Sequence, residues 1–290
     1  MSRMKEEDNI SQRWIFIIGC YNSGTTLLER ILRQHPSIAG LPNEGQFLTN
    51  ALIEPRAVGV PRLWAEKENL FRFLPDQENA KGIQVKQDWI ALLDKPDAPF
   101  AVEKSPTNSA RTLWLQHHFN SPYFIHIVRN GYVVALGIHD KVLKSFGTMP
   151  ELLPKAANQW TRSLEVVLED APKLEHFLEI RYEDLARDPV GITNQIFNFL
   201  GLPELSPETL RQKYLIHGSS AQIENKNAVR LTQLTQKQAK IIEERAGTLL
   251  KNYGYYRHNL WFDHVKTIIR AFGKLLHKFY VSCMRKTKSF

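Results

Sequence analysis

The stretch WIFIIGCYNSGTTLLERIL, residues 14–32, decides the fold. It opens with an apolar, isoleucine-rich run of strand length, WIFIIG. The turn-forming residues CYNSG follow, and then Leu27, Leu28, Ile31 and Leu32 recur at helical spacing. Strand, tight loop and helix in that order begin an α/β unit. Gly19 and Gly24 bracket the loop, and Thr25 and Thr26 follow it. Glycines let successive backbone N–H groups turn inward around anionic oxygens, while the helix N-terminus and hydroxyls add donors. A nucleoside-triphosphate loop also needs lysine after the second glycine, and Thr25 stands there instead. The loop alone therefore fits two readings: an oxyanion cradle lacking the ATPase lysine, or a ligand-free strand-to-helix turn.

The pattern continues outward. PFAVE (99–103) and FLEIRY (177–182) read as short strands. YFIHIV (123–128) is a stronger candidate, because β-branched and aromatic residues dominate it. Helices are expected over 109–119, from about residue 132, and over 155–171, where Ala156, Trp160, Leu164, Val167 and Leu168 share a face. Residues 40–80 hold scattered aromatics and prolines without a period and read as loop with short helices. Asp188-Pro189 and Ser206-Pro207 mark helix starts, and Thr235 with Gln238 has capping-box spacing. Short strands alternating with longer helices predict an α/β fold with a central, mostly parallel sheet flanked by helices.

Size and composition fit one such domain with an extension: 290 residues, 43% hydrophobic and 23% charged. Two cysteines, Cys20 and Cys283, lie near opposite ends and favour a reducing compartment over a disulfide scaffold. The segment through Asn9 is polar and charged, without an apolar signal core. No run approaches the roughly 18 apolar residues of a membrane span. The expected setting is cytoplasmic. The formal charge of +8 is uneven: residues 262–290 hold seven Lys or Arg against Asp263, leaving about +2 for the rest. A near-neutral body without a zinc-ligand cluster or helix-turn-helix signature argues against a nucleic-acid partner.

Five segments in order carry a family likeness. GCYNSGTTLLERILRQHPSI (19–38) resembles the 5′-phosphosulfate loop and following helix of sulfotransferases. AVEKSPTN (101–108) resembles the Glu-Lys-Ser/Thr-Pro segment of glycan-type and bacterial members, and YFIHIVRNGYVVALGI (123–138) their 3′-phosphate strand and helix. EIRYEDLARDP (179–189) with IFNFLGLP (196–203), and LLKNYGY (249–255), resemble later family segments. The resemblance implies a three-layer, P-loop-like fold related to nucleotide kinases. It implies 3′-phosphoadenylyl sulfate as donor, adenosine 3′,5′-bisphosphate as product and no required metal. The implied reaction is in-line transfer of a sulfuryl group to a hydroxyl of a glycan or small molecule. The alternatives are a P-loop nucleotide kinase or hydrolase using ATP and magnesium, and a non-catalytic binding protein that retains the fold.

By the same likeness, Tyr21, Asn22, Ser23, Gly24, Thr25 and Thr26 hold the 5′-phosphosulfate, Arg129 holds the 3′-phosphate, and Tyr182 flanks the adenine. Glu44, in HPSIAGLPNEGQF (35–47), is the expected base for the acceptor hydroxyl. Lys104 is expected to neutralise charge growing on the bridging oxygen, with Glu103 as an orienting partner. Two positions depart from the family pattern. Many relatives carry Lys or Arg where Asn22 stands, and a serine where Gly137 stands, eight residues after Arg129. Arg30 is a candidate substitute for the missing cation. His35, His117, His118, His126 and His139 are alternative bases, and Trp64, Phe71, Phe73 and Trp89 are either walls of an apolar acceptor pocket or ordinary core.

The last segment is read independently of the likeness. Val265, Ile268, Ile269, Phe272, Leu276, Phe279 and Cys283 recur at three- and four-residue spacing, with Lys266, Arg270, Lys274 and Lys278 on a neighbouring face. This pattern predicts a basic amphipathic helix, dividing the chain into a catalytic domain (1–261) and a C-terminal helix or tail (262–290). Its apolar face packs on the catalytic domain or a second subunit, leaving the oligomeric state open, or lies on an anionic membrane through residues 262–283. In the membrane case, the full chain co-sediments with anionic vesicles at low salt, and truncation after Trp261 abolishes binding with donor-product affinity unchanged. A full-length chain that stays in the supernatant contradicts the membrane reading, and a truncated chain that melts much earlier places the helix on the core.

Overall fold

The computed structural model describes residues 12–210, 214–216, 219–221 and 223–256. The tail helix read from the sequence lies outside them. The first strand, β1 (Arg13–Ile18), is buried from Trp14 onward. β2 (Ile38–Gly40), β3 (Phe100–Lys104), β4 (Tyr123–Val128) and β5 (His176–Arg181) join it in one sheet of order β2-β3-β1-β4-β5. Every pairing in that sheet is parallel. Ile17 lies opposite Lys104, and Ile18 opposite His126, so β1 is clamped between β3 and β4. A short hairpin, β6 (Tyr214–Ile216) and β7 (Ser219–Ala221), stands apart from this sheet.

The connecting helices are α1 (Thr25–Leu32), α2 (Asn79–Ile90), α3 (Thr112–His118), α4 (Gly131–Phe146) and α5 (Leu152–Asp170). They are followed by α6 (Tyr182–Arg187), α7 (Pro189–Leu200), α8 (Pro207–Leu210), α9 (Asn227–Thr232) and α10 (Gln236–Asn252). An unbroken apolar run suits a strand buried on both faces. Ile15 and Ile17 enter one core with Leu28, Ile31 and Leu32 of α1 and Ile196, Phe197 and Leu200 of α7. Trp14, Phe16 and Ile18 enter the other, with Val85 and Trp89 of α2, Trp114 and Leu115 of α3 and Val167 of α5. Helices, sheet and helices form the three layers expected from the sequence.

The expected caps are present. Asp188 Oδ1 accepts from the Gly191 N–H at 2.9 Å, and Ser206 Oγ from the Thr209 N–H at 3.3 Å. Thr235 and Gln238 cap reciprocally: Thr235 Oγ1 accepts from the Gln238 N–H at 3.2 Å and Gln238 Oε1 from the Thr235 N–H at 3.0 Å. Other expectations shift. β2 and α2 carry no sequence signal: one is three residues long, and the other buries only Gly82, Val85 and Trp89. The helix expected over 109–119 begins at Thr112, because residues 106–110 form a separate tight turn. Trp64, Phe71 and Trp89 are fully buried, and Phe73 packs edge-on against Trp114, with ring centroids 5.4 Å apart. Of the two readings open for these four, the core one holds for Trp64, Phe71 and Trp89, and Phe73 packs partly buried at the margin of that core.

Contacts divide the chain into residues 1–249 and 250–290. In the second unit, the Gly254 N–H donates to the Lys251 carbonyl at 2.9 Å with Gly254 in the left-handed region (φ 69°), ending α10. Among the described residues no helix is long and apolar enough to cross a membrane.

Gly24 ties the first loop to the far side of the sheet. Its φ is 101°, and a Cβ there would lie 2.7 Å from the Tyr182 ring. Gly24→Ala therefore meets both backbone strain and a clash, and should lower unfolding stability by about 1–3 kcal/mol in a urea titration. An unchanged midpoint would contradict this loop geometry.

Candidate active site

All five parallel strands point their carboxyl ends at one edge of the sheet, and the connections wind to opposite sides of β1. In open α/β sheets such an edge is where ligands bind. A cavity of about 320 Å³ opens there, lined in part by Asn22, Thr25, Glu44, Arg62, Arg129 and Lys141. Tyr21, Gly24, Thr26 and Tyr182 also line it, whereas Ser23 is buried beneath the loop and does not. The Gly19 N–H donates to Ser109 Oγ at 2.9 Å, and the Ser23 N–H to the Cys20 carbonyl at 3.2 Å, fixing the loop from below. Asn22 sits in the left-handed region (φ 64°), which asparagine tolerates. Its Nδ2 is buried and has no hydrogen-bond partner among the described residues. Burial pushes the Cys20 thiol up to about 12, leaving it protonated and unreactive near neutral pH.

On the β4 and β5 side, the Arg129 guanidinium stacks on Tyr182, its carbon 3.9 Å from the ring centroid. Arg129 Nη1 donates to the Asn22 carbonyl at 2.9 Å and Nε to Asn227 Oδ1 at 2.8 Å. Asn227 Nδ2 donates in turn to Glu183 Oε1 at 2.5 Å, which also accepts from the Asn130 N–H at 3.1 Å. The Tyr182 hydroxyl donates to the Glu224 carbonyl at 3.0 Å. The planar fork and the ring thus fix one another beside the loop.

On the β2 and β3 side, Lys104 Nζ lies 2.5 Å from Glu44 Oε1, and Gln46 Nε2 donates to Glu44 Oε2 at 2.7 Å. The turn bearing Glu44 is docked on Glu103. Glu103 Oε1 accepts from the Gly45 N–H at 2.8 Å and from the Ser105 hydroxyl, and Oε2 accepts from Asn108 Nδ2. Trp89 Nε1 donates to the Gly45 carbonyl at 3.0 Å, and a Cβ on Gly45 would lie 2.5 Å from that indole. Thr107 Oγ1 donates to Gln46 Oε1 at 2.8 Å, while Arg111 Nη2 donates to Thr107 Oγ1 at 2.9 Å. Burial pushes Glu103 up to about 7 and Arg111 down to about 10. Glu103 thus ties the Gly45 turn to the end of β3.

Alternatives offered by the sequence do not reach the cavity. Arg30 does not line it, and none of the five candidate histidines does. His126 lies inside β4 with Nδ1 3.0 Å from Glu179, His35 packs on Phe197, and His139 Nδ1 is 3.1 Å from Asp140. Three cations that sequence reasoning missed do line it: Arg62, Lys141 and Lys226. Arg62 lies in an aperiodic stretch that gives no signal. Lys141 was findable, since it stands one helical turn after Gly137, a position the likeness already marks.

Comparison with known proteins settles the family. A model described as "Sulfotransferase family" matches residues 14–207. The chain belongs to the sulfotransferase family. A second model, "Sulfotransferase domain", matches residues 155–280. The chain is similar to omega-hydroxy-beta-dihydromenaquinone-9 sulfotransferase Stf3 of Mycobacterium tuberculosis, at 31% identity over 53% of this chain and 41% of that protein. It is also similar to protein-tyrosine sulfotransferase A of Caenorhabditis elegans, at 20% identity over 67% of this chain and 51% of that protein. The chain thus aligns with about half or less of these relatives' lengths. Among solved structures, a sulfotransferase domain from the curacin biosynthetic pathway superposes with TM-score 0.50 and 23% identity, covering 82% of this chain and 97% of that one. Sulfotransferase STF1 of Mycobacterium tuberculosis H37Rv gives TM-score 0.50 and 17% identity, covering 81% and 77%. These two show the shared fold. Family membership replaces the kinase or hydrolase alternative.

Glu103 provides a test of how this sulfotransferase-family site is held. A carboxyl whose folded pKa is raised from 4.5 to about 7 contributes stability that is complete below 4.5 and lost as pH rises through 7. Glu103→Gln removes that titration. The stability difference between wild type and variant should therefore shrink from pH 4.5 to 7, and a pH-independent difference would contradict the buried placement.

Proposed function

We propose that the chain transfers a sulfuryl group from 3′-phosphoadenylyl sulfate to the hydroxyl of a small-molecule or glycan acceptor. The carrying observation is that the Glu44–Lys104 pair, 2.5 Å apart, stands at the same sheet edge as the loop and Arg129, with Glu44 lining the cavity. In this reading Asn22, Gly24, Thr25 and Thr26 hold the 5′-phosphosulfate with backbone N–H groups and hydroxyls, over the buried Ser23 and beside Tyr21. The orphan Asn22 Nδ2 fits such a site, because a buried donor without a partner needs an acceptor. Arg129, held flat on Tyr182, reads the 3′-phosphate as a bidentate fork.

Glu44 takes the proton of the acceptor hydroxyl as its oxygen bonds to sulfur. The bond between sulfur and the bridging phosphate oxygen breaks, and the electron pair stays on that oxygen. Lys104 neutralises the charge developing there, and adenosine 3′,5′-bisphosphate leaves. The printed names of two relatives, one acting on an omega-hydroxylated dihydromenaquinone and one on protein tyrosine, support a hydroxyl acceptor of either alcohol or phenol type.

Transfer of radiolabelled sulfate from the donor to an omega-hydroxylated prenylquinone or a tyrosine peptide tests the reading. Glu44→Gln should cut kcat about 100-fold or more while leaving the affinity for adenosine 3′,5′-bisphosphate within about threefold. Lys104→Ala should also lower kcat. Near-normal turnover in both variants would overturn the assignment.

A further inference from the structure

The two positions at which the chain departs from the family pattern touch each other. A Cβ built on Gly137 would lie 3.1 Å from Asn22 Nδ2 and 3.3 Å from its Cγ. The Asn22 side chain therefore occupies the space that a larger residue at 137 would fill. Asn22 and Gly137 form one packing arrangement, and it leaves the loop without a cation of its own. Helix α4 continues past Gly137, and Lys141, four residues on, lies on the same face one turn further. It opens on the same cavity as Asn22, Thr25 and Glu44.

Arg62 reaches this cavity from the aperiodic segment just before the tight helical turns of Trp64–Leu70, with its backbone in the left-handed region (φ 62°). That conformation is costly for arginine, and such strain concentrates at functional sites. Its guanidinium carbon is 5.4 Å from the Tyr21 ring centroid. Among the described residues neither Arg62 nor Lys141 makes an ion pair within 4.0 Å. The nearby carboxylates are engaged elsewhere: Glu44 with Lys104 at 2.5 Å, and Asp140 with Arg230 at 2.6 Å. Arg62 and Lys141 face one cavity whose Glu44 is already shared with Lys104, so their like charges repel each other, and an oxyanion between them relieves that repulsion.

We infer that Arg62 and Lys141 together hold the sulfuryl oxygens of the donor, supplying from α4 and the 62 loop the charge that Asn22 does not carry. This rests on the donor reading given under Proposed function. The position within the cavity favours the sulfuryl end over the 3′-phosphate end. Lys141 feels the charges of Arg62, Glu44, Lys104 and Arg230, which puts it on the Glu44–Lys104 side of the site, while Arg129 stacks on Tyr182. Burial against the wall, followed by the Arg62 charge, pushes Lys141 down to about 8, so the site weakens as its ammonium is lost above that pH. An anionic group on the acceptor has the same chemistry, and the test separates the two sources.

Titration calorimetry without acceptor compares 3′-phosphoadenylyl sulfate with adenosine 3′,5′-bisphosphate, which lacks the sulfuryl group. Lys141→Met should weaken the sulfated ligand about tenfold and the bisphosphate less than about twofold, and Lys141→Arg should restore the sulfated ligand. Thermal melting of the free variants checks that the fold is kept. Unchanged affinity for the sulfated ligand in Lys141→Met would overturn the inference, as would an equal loss for both ligands. Unchanged donor affinity with a raised KM for the acceptor would move the pair to an anionic acceptor and also overturn it. If wild type binds neither ligand, the donor reading fails and not this inference alone.

Discussion

The parallel clamping of β1 between β3 and β4 is the constraint on which everything else depends. Ile17 lies opposite Lys104 and Ile18 opposite His126, which sets the register of the three central strands toward one edge. A parallel sheet puts every carboxyl end on one edge. The loop after β1, the turn after β2, the last residue of β3 and the first residues beyond β4 and β5 therefore come together. They carry Asn22, Glu44, Lys104, Arg129 and Tyr182 in that order. A slip of one residue in β3 would turn Lys104 to the opposite face and put Glu103 or Ser105 in its place.

Holding that edge in shape requires polar groups inside the protein. Glu103, 1% exposed, and Arg111, 1% exposed, are buried where charge is expensive. Both are tied into a chain of hydrogen bonds through Asn108, Thr107 and Gln46 that ends on Glu44. Such a network is favourable only when each member is satisfied, and it then fixes a unique geometry. On the other side of the loop, Arg129, Asn227 and Glu183 do the same work around Tyr182. The loop is thus gripped from both sides, with Gly24 allowing close approach to the Tyr182 ring.

The central strands were legible in the sequence because burial on both faces favours near-continuous apolar runs; WIFII is one, and YFIHIV is interrupted only by His126. The caps were legible because a side-chain oxygen before proline, or Thr235 spaced three from Gln238, has one local meaning. β2 and α2 were not, since three residues cannot show a period and α2 buries too narrow a stripe. The tryptophans were ambiguous in the sequence, because a pocket wall and a core use the same residues, and only the fold puts Trp64 and Trp89 wholly inside. The cavity residues signalled by motif, Glu44 and Arg129, were found, but Arg62 arrives by tertiary folding alone. The consequence of Asn22 and Gly137 needed three dimensions, because only their contact shows that the two departures are one.

The central claim is that this edge reads a nucleotide carrying a 3′-phosphate. Its most direct measurement is thermal melting with adenosine 3′,5′-bisphosphate or ADP at equal concentration, without magnesium. A ligand at about 100 times its Kd stabilises the native state by about 2.7 kcal/mol. The account predicts a clear rise in Tm with adenosine 3′,5′-bisphosphate, a much smaller one with ADP, and loss of the difference in Arg129→Ala. Equal stabilisation of the wild type by the two nucleotides would contradict it.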